Sequence, residues 1–335
     1  MERRFDATKP MQVGGQAVLE GVMMRAPGMV ATAVRRASGE IVVKKEPHRS
    51  LAEKYPVFKL PLLRGAVGLI EMMVIGIRTL NYSAEVSMQD TEGAKAESGN
   101  SQPETGKSSN DNLKLGVTVA FSLGIGIVVF FVTPLFLTST LFNVSQDAFW
   151  FNAVSGGIRI GLLLGYLSII SMMKDIQRLF QYHGAEHKAV FAFERGERLD
   201  VPSAAKQTRF HPRCGTSFLL IVMLVAIAIF SILDTLLIQW LGELTLLTRL
   251  LTHLPLIPLI GGVSYEFIKA SAKRSDTPLG RVVVAPGLWL QRITTKEPDE
   301  SQLEVALVAL RCALGEEPHV VLAPAPIPLQ AALLN

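Results

Sequence analysis

GTSFLLIVMLVAIAIFSILDTLLIQWL, residues 215–241, decides the fold class. Asp234 is its sole charged residue, and as a helix it is long enough to cross a hydrocarbon core about 30 Å thick. Comparable apolar blocks occupy 115–142, 153–173 and 245–269. Pro134 in the first and Pro255 and Pro258 in the last predict kinks, where neighbouring groups must satisfy the freed carbonyls. The expectation is a mainly α, polytopic helical membrane protein with about four spans between residues 114 and 270.

The surrounding composition fits. Charged residues are 19% of the 335-residue chain and cluster between the apolar blocks, and the mean hydropathy is +0.34. The net charge of +4 reads as topology rather than nucleic-acid affinity, because no nucleic-acid-binding signature accompanies it. Segment 174–214 carries Lys174, Arg178, Lys188, Arg195, Arg198, Lys206, Arg209 and Arg213, and Lys269, Lys273, Arg274 and Arg281 follow the last block. The loop at 145–155 has no basic residue. The positive-inside rule therefore places the central loop and both termini in the cytoplasm. Met1 to Pro10 lacks the apolar core of a signal peptide, so no cleavage is expected. Cys214 and Cys312 fall in those cytoplasmic segments and imply no disulfide framework.

Flanking the spans, residues 11–50 read as a small β-rich unit, with strands at 30–36 and 41–45 around a turn at 37–40. Residues 57–86 read as an amphipathic helix lying on the membrane, although 60–80 would span a bilayer if Glu71 were paired. Residues 88–112 read as a disordered insert. Residues 276–316 read as a short soluble appendage with a capping box at Ser301–Glu304 opening a helix. Residues 318–335 form a Pro/Ala-rich tail.

Chemistry concentrates in the central loop. His183-Gly184-Ala185-Glu186-His187 reads H-x-x-E-H, an inverted zinc-protease signature. On a helix, His183 and His187 share one face, and Glu186 stands beside them as a general base. His211 and Cys214 follow in the same loop, so four donors within about thirty residues point to a zinc site. If all four bind, the shell is closed and structural. If three bind, hydrolysis is open to it. A second reading makes Cys214 a nucleophile activated by His211 or by a helix N-terminus.

Distant carboxylates are further candidate ligands. Inverted zinc proteases take one as third ligand, and Glu266 is the best placed, against an ion pair with Lys269 or Lys273. Glu20 either faces the site or pairs with Arg25. Asp234 and Arg159 read as snorkelling to the outer interface, and His253 as bonding a carbonyl freed by Pro255.

Three stretches carry a family resemblance: Gly14-Gly15-Gln16-Ala17-Val18-Leu19-Glu20-Gly21-Val22-Met23-Met24-Arg25, Tyr182–Lys188, and His211-Pro212-Arg213-Cys214-Gly215-Thr216-Ser217-Phe218. With Tyr265-Glu266 and Thr294–Asp299, they resemble the YqhQ-like family, bacterial membrane proteins of unknown function described as predicted metal-dependent enzymes. The resemblance implies a multi-pass protein of the bacterial inner membrane and supports a metal site. It supplies no reaction.

The expectation is a zinc-dependent integral membrane hydrolase at the cytoplasmic interface, in contact with membrane lipids and acting on a lipid-linked molecule or a membrane-proximal peptide. The alternative is a non-enzymatic membrane scaffold with a structural zinc site. Transport ranks third, because few charges lie at mid-depth in the apolar blocks.

Overall fold

Alternating small and branched apolar residues between 14 and 47 fold as an antiparallel meander, β1 (Gly14–Val18), β2 (Gly21–Ala26), β3 (Met29–Arg35) and β4 (Ile41–Pro47), in the order β1-β2-β3-β4. The molecule is represented by a computed structural model describing residues 13–97, 109–142, 144–272 and 277–317. The β2–β3 turn is Pro27-Gly28, with Gly28 at φ 84°, where a glycine follows proline as a tight turn requires.

Twelve α-helices are described. They are α1 (Leu51–Lys54), α2 (Leu63–Glu97), α3 (Ser109–Ile127), α4 (Thr133–Leu141), α5 (Ala148–Ile170), α6 (Lys174–Glu194), α7 (Val201–Ala205), α8 (Gly215–Leu241), α9 (Leu246–His253), α10 (Ile257–Ala272), α11 (Pro278–Thr294) and α12 (Glu300–Ala313). Four helical segments, Gly116–Leu141, Ala148–Ile170, Phe218–Leu241 and Leu246–Ser271, are long and apolar enough to cross a membrane. The chain is thus a mainly α, polytopic membrane protein carrying a small N-terminal sheet and a C-terminal helix. Helix α8 is the centre of the bundle, packing against α5 and α10 around Phe131, Leu135, Phe151, Phe230 and Ile260. Phe121, Leu224 and Ile232 face outward, as a lipid environment allows. At the end of the bundle away from the sheet, Trp150 and Trp240 are exposed, an aromatic pattern typical of a membrane–water interface.

The sheet is the middle layer of a second core. Val22, Met24, Ala31, Ala33 and Val43 pack with Tyr182, Ala185 and Ala189 of α6 and with Leu303, Ala306 and Leu310 of α12. The other face, Val18, Val34 and Val42, meets Val86 of α2. Residues 277–316 therefore do not stand apart as an appendage. Helix α12 completes the sheet's core, while α11 packs against α8 and touches α5 and α10. The cap of α12 is Asp299, not Ser301: its side chain accepts from the Gln302 N–H and Gln302 answers to the Asp299 N–H.

Helix α2 also departs from expectation. It starts at Leu63, after a 3-10 turn at Pro56–Lys59 and Leu62 at φ 70°. Its first turns pack on α10, where a Cβ on Gly65 would lie 2.7 Å from the Tyr265 Cβ. Its later turns leave the spans to cover the sheet. It runs to Glu97, and α3 begins at Ser109, so both edges of the expected disordered insert are helical. The rest of that insert, 98–108, and the Pro/Ala-rich tail, 318–335, lie outside the described residues.

Three buried polar residues within the spans have partners the sequence did not reveal. The Thr133 N–H reaches back to the Val128 carbonyl in a π-turn, and Pro134 cannot donate to the Phe130 carbonyl. Arg159 Nε donates to that carbonyl at 2.9 Å, so Arg159 repairs a broken helix rather than snorkelling. Asp234 is fully buried. Its carboxylate accepts from Asn152 at 2.8 Å, pairs with His253 Nε2 at 2.9 Å and with Arg249 at 3.3 Å. His253 therefore serves Asp234 rather than a carbonyl freed by Pro255, and it stacks on Phe230.

Candidate metal centre

His183, Glu186 and His187 lie on one side of α6, the helix whose apolar face builds the sheet core. Gly184 is the point of closest approach. The 295–298 segment crosses α6 there, tied by the Lys296 N–H to the Phe180 carbonyl at 2.8 Å, and a Cβ on Gly184 would sit 2.1 Å from the Lys296 carbonyl oxygen. Cys214 arrives from α8 as its N-cap, with the Thr216 N–H directed at its sulfur at 3.5 Å.

The donor atoms of His183, His187 and Cys214 lie within 4.8 Å of one another. His183 Nε2 is 3.2 Å from Cys214 Sγ. Each imidazole is oriented from behind by a main-chain carbonyl, His183 Nδ1 by Thr294 at 2.8 Å and His187 Nδ1 by Arg209 at 2.5 Å. A ring that donates Nδ1–H to a carbonyl presents a lone pair at Nε2, the arrangement by which proteins aim histidine at a metal. His187 Nε2 is buried and has no hydrogen-bond partner among the described residues, a costly state that an ion would relieve. A thiolate beside two such imidazoles is a donor set zinc accepts. The residues fit a metal.

Glu186 is nearly buried, with one carboxylate oxygen accepting from the Gly15 N–H at 3.0 Å and the other 3.9 Å from His183 Nε2. It stands beside the cluster with one oxygen anchored and the other toward it. A Cβ on Gly15 would lie 2.4 Å from the Met23 carbonyl and 2.9 Å from Glu186 Cγ, so the glycine permits this contact.

The structure brings three of the four loop donors together. His211 is outside that donor group although its ring centroid lies 5.6 Å from that of His187; its Nδ1 accepts from the Arg213 N–H at 3.2 Å and its Nε2 is 3.4 Å from Glu194. Gln291 of α11 grips its main chain from both sides, at 2.8 Å and 2.7 Å. Glu194 also pairs with Arg213. Burial opposes its ionisation, but the His211 and Arg213 partners prevail and hold its carboxyl below the ordinary range. Glu266 is not at the cluster. It forms a two-point ion pair with Arg64 of α2 rather than with Lys269, while Lys273 lies outside the described residues. Glu20, at φ 51° in the β1–β2 turn, pairs with Arg178 and accepts from the Tyr182 hydroxyl at 3.3 Å, and Arg25 instead contacts Met72 Sδ. Burial, with Glu20 beside it, raises the Tyr182 hydroxyl above its usual range.

Sequence reasoning missed the supporting shell: the Thr294 and Arg209 carbonyls, the Gly15 N–H and Gln291. Main-chain groups leave no side-chain signature.

A family model described as a protein of unknown function, DUF1385, matches residues 60–316. An uncharacterized protein of Bacillus subtilis (strain 168), YqhQ, is 35% identical over 303 residues, covering 89% of this chain and 91% of its own. No solved structure matches.

Proposed function

We propose, from the premise that this chain belongs to the DUF1385 family of proteins of unknown function, that it is a metal-dependent membrane hydrolase. His183, His187 and Cys214 would hold one zinc ion and leave a fourth position for water or substrate. The observation that carries the reading is the buried His187 Nε2, without a hydrogen-bond partner among the described residues and aimed at the cluster by the Arg209 carbonyl behind it.

When bound, the ion supplies Lewis acidity toward a carbonyl or phosphoryl oxygen and eases ionisation of water. The chain's own residues do the rest. The two main-chain carbonyls fix the imidazole tautomers. The free oxygen of Glu186 takes a proton from the attacking water, while the Gly15 N–H holds the carboxylate in place. Because His211 is turned to Glu194, the donor set stays at three, which favours hydrolysis over a closed structural zinc in a scaffold.

The distribution of Lys and Arg orients this end of the bundle toward the cytoplasm, with both termini on that side of the bacterial inner membrane. Cys214 lies four residues before the apolar segment that starts at Phe218, about 6 Å along the helix. A centre so near the bilayer suits a lipid-linked molecule or a membrane-proximal peptide as substrate.

Metal content of detergent-purified protein tests the reading. The expected result is about one zinc per chain, lost in His187→Ala and retained in His211→Ala. Protein prepared without chelator and found free of metal overturns it. Glu186→Gln is expected to keep the metal and lower hydrolysis at least about 100-fold. Loss of metal from that variant would make Glu186 a ligand.

A further inference from the structure

Helix α11 presents a stripe that is left uncovered among the described residues. Arg281, Val282, Ala285, Pro286, Trp289 and Arg292 are all exposed and recur on one face of the helix, with Val282 69% and Trp289 51% accessible. The opposite face is sunk into the molecule through Gly280, Gly287, Leu290, Gln291 and Thr294. What covers the stripe is fixed by the neighbours on that sunken face. Helix α11 packs along α8 and touches α5 and α10, three helices that include membrane-crossing segments. It is therefore seated against the helices able to cross a membrane. The order of the stripe agrees, with apolar residues and a tryptophan in the middle and one arginine at each end.

We infer that the Val282–Trp289 face of α11 is a lipid-binding surface, seated among the acyl chains at the membrane interface with Arg281 and Arg292 reaching headgroup phosphates. Tryptophan favours that depth because its ring is apolar and its N–H wet. Arginine stems lie along apolar surface while their guanidinium groups pair with phosphate oxygens. The same helix carries the Thr294 carbonyl that orients His183 and the Gln291 side chain that grips His211. Lipid contact thus holds the candidate metal centre at a set height, although the surface stands whether or not a metal binds.

Tryptophan fluorescence of the full-length protein in phosphatidylglycerol vesicles tests this. Trp150→Phe and Trp240→Phe together leave Trp289 as the sole tryptophan. The expected result is a blue-shifted emission, quenched by lipids brominated high on the acyl chain and shielded from acrylamide. Emission typical of water, quenched by acrylamide and indifferent to bromolipid, overturns the inference. If the double variant fails to fold, the difference between wild type and Trp289→Phe in the same vesicles reports the same quantity. Arg281→Glu with Arg292→Glu is expected to shift the Trp289 emission to the red, and an unchanged spectrum would remove the arginines from the headgroup contact.

Discussion

At the scale of single residues, the candidate centre depends as much on what is small as on what ligates. Gly184 separates His183 from Ala185 in the H-x-x-E-H stretch because the Lys296 carbonyl occupies the space a side chain would need. Gly184→Ala is expected to destabilise the protein by about 1–3 kcal/mol, the usual cost of overpacking against main chain. Thermal unfolding in detergent checks this, and an unchanged midpoint would mean the 295–298 segment yields without cost. The two cysteines divide by setting. Cys312 is buried and its thiol is pushed up to about 11, so it is inert packing. Cys214 sits partly exposed at a helix N-terminus, 3.2 Å from an imidazole. Alkylation of the native protein is expected to label Cys214 and spare Cys312, and metal is expected to protect Cys214.

At the scale of elements, end groups decide where helices begin. Asp299 opens α12, the helix that closes the sheet core. Burial works against its charge, but the Ser301 hydroxyl and the Gln302 N–H hold its carboxyl below the ordinary range. A depressed pKa in the folded state contributes stability that is complete above the unfolded carboxylate's value and is lost as pH falls through the lower one. Asp299→Ala is expected to cost about 1 kcal/mol near neutrality. Asp299→Asn keeps a cap and does not titrate, so its unfolding midpoint is expected to fall less steeply in acid than the wild type's. Pro134 and Arg159 make a second element-scale pair, one breaking a hydrogen bond and the other replacing it.

At the scale of the molecule, two cores share helices. The centre falls where α6 from the sheet core meets α8 and α11 from the membrane bundle, and α2 bridges the same two units. The far end of the bundle is fastened by Asp234, Asn152, Arg249 and His253, with Arg249 also donating to the Ser145 carbonyl at 2.6 Å. Removing one member strands a buried charge. Asp234→Ala or Arg249→Ala is expected to destabilise by about 3–5 kcal/mol, measured by unfolding in dodecyl sulfate mixed micelles. A change within about 0.5 kcal/mol would mean that water already reaches the cluster.

The sequence by itself determined what local composition controls. Long apolar blocks can be satisfied only as membrane helices, so the spans were legible within a few residues, as were the strands at 30–36 and 41–45 and the helical spacing of His183 and His187. Tertiary structure decided everything that depends on chain segments far apart in sequence. It grouped the Cys214 sulfur with the donor atoms of the two histidines and turned the His211 donors elsewhere, gave Glu266 to Arg64 and Glu20 to Arg178, and folded residues 300–313 into the sheet core. Those choices rest on main-chain carbonyls and on which face of each helix meets which neighbour. Neither is written in residue type or periodicity, because every residue carries the same carbonyl and an amphipathic face does not name its partner.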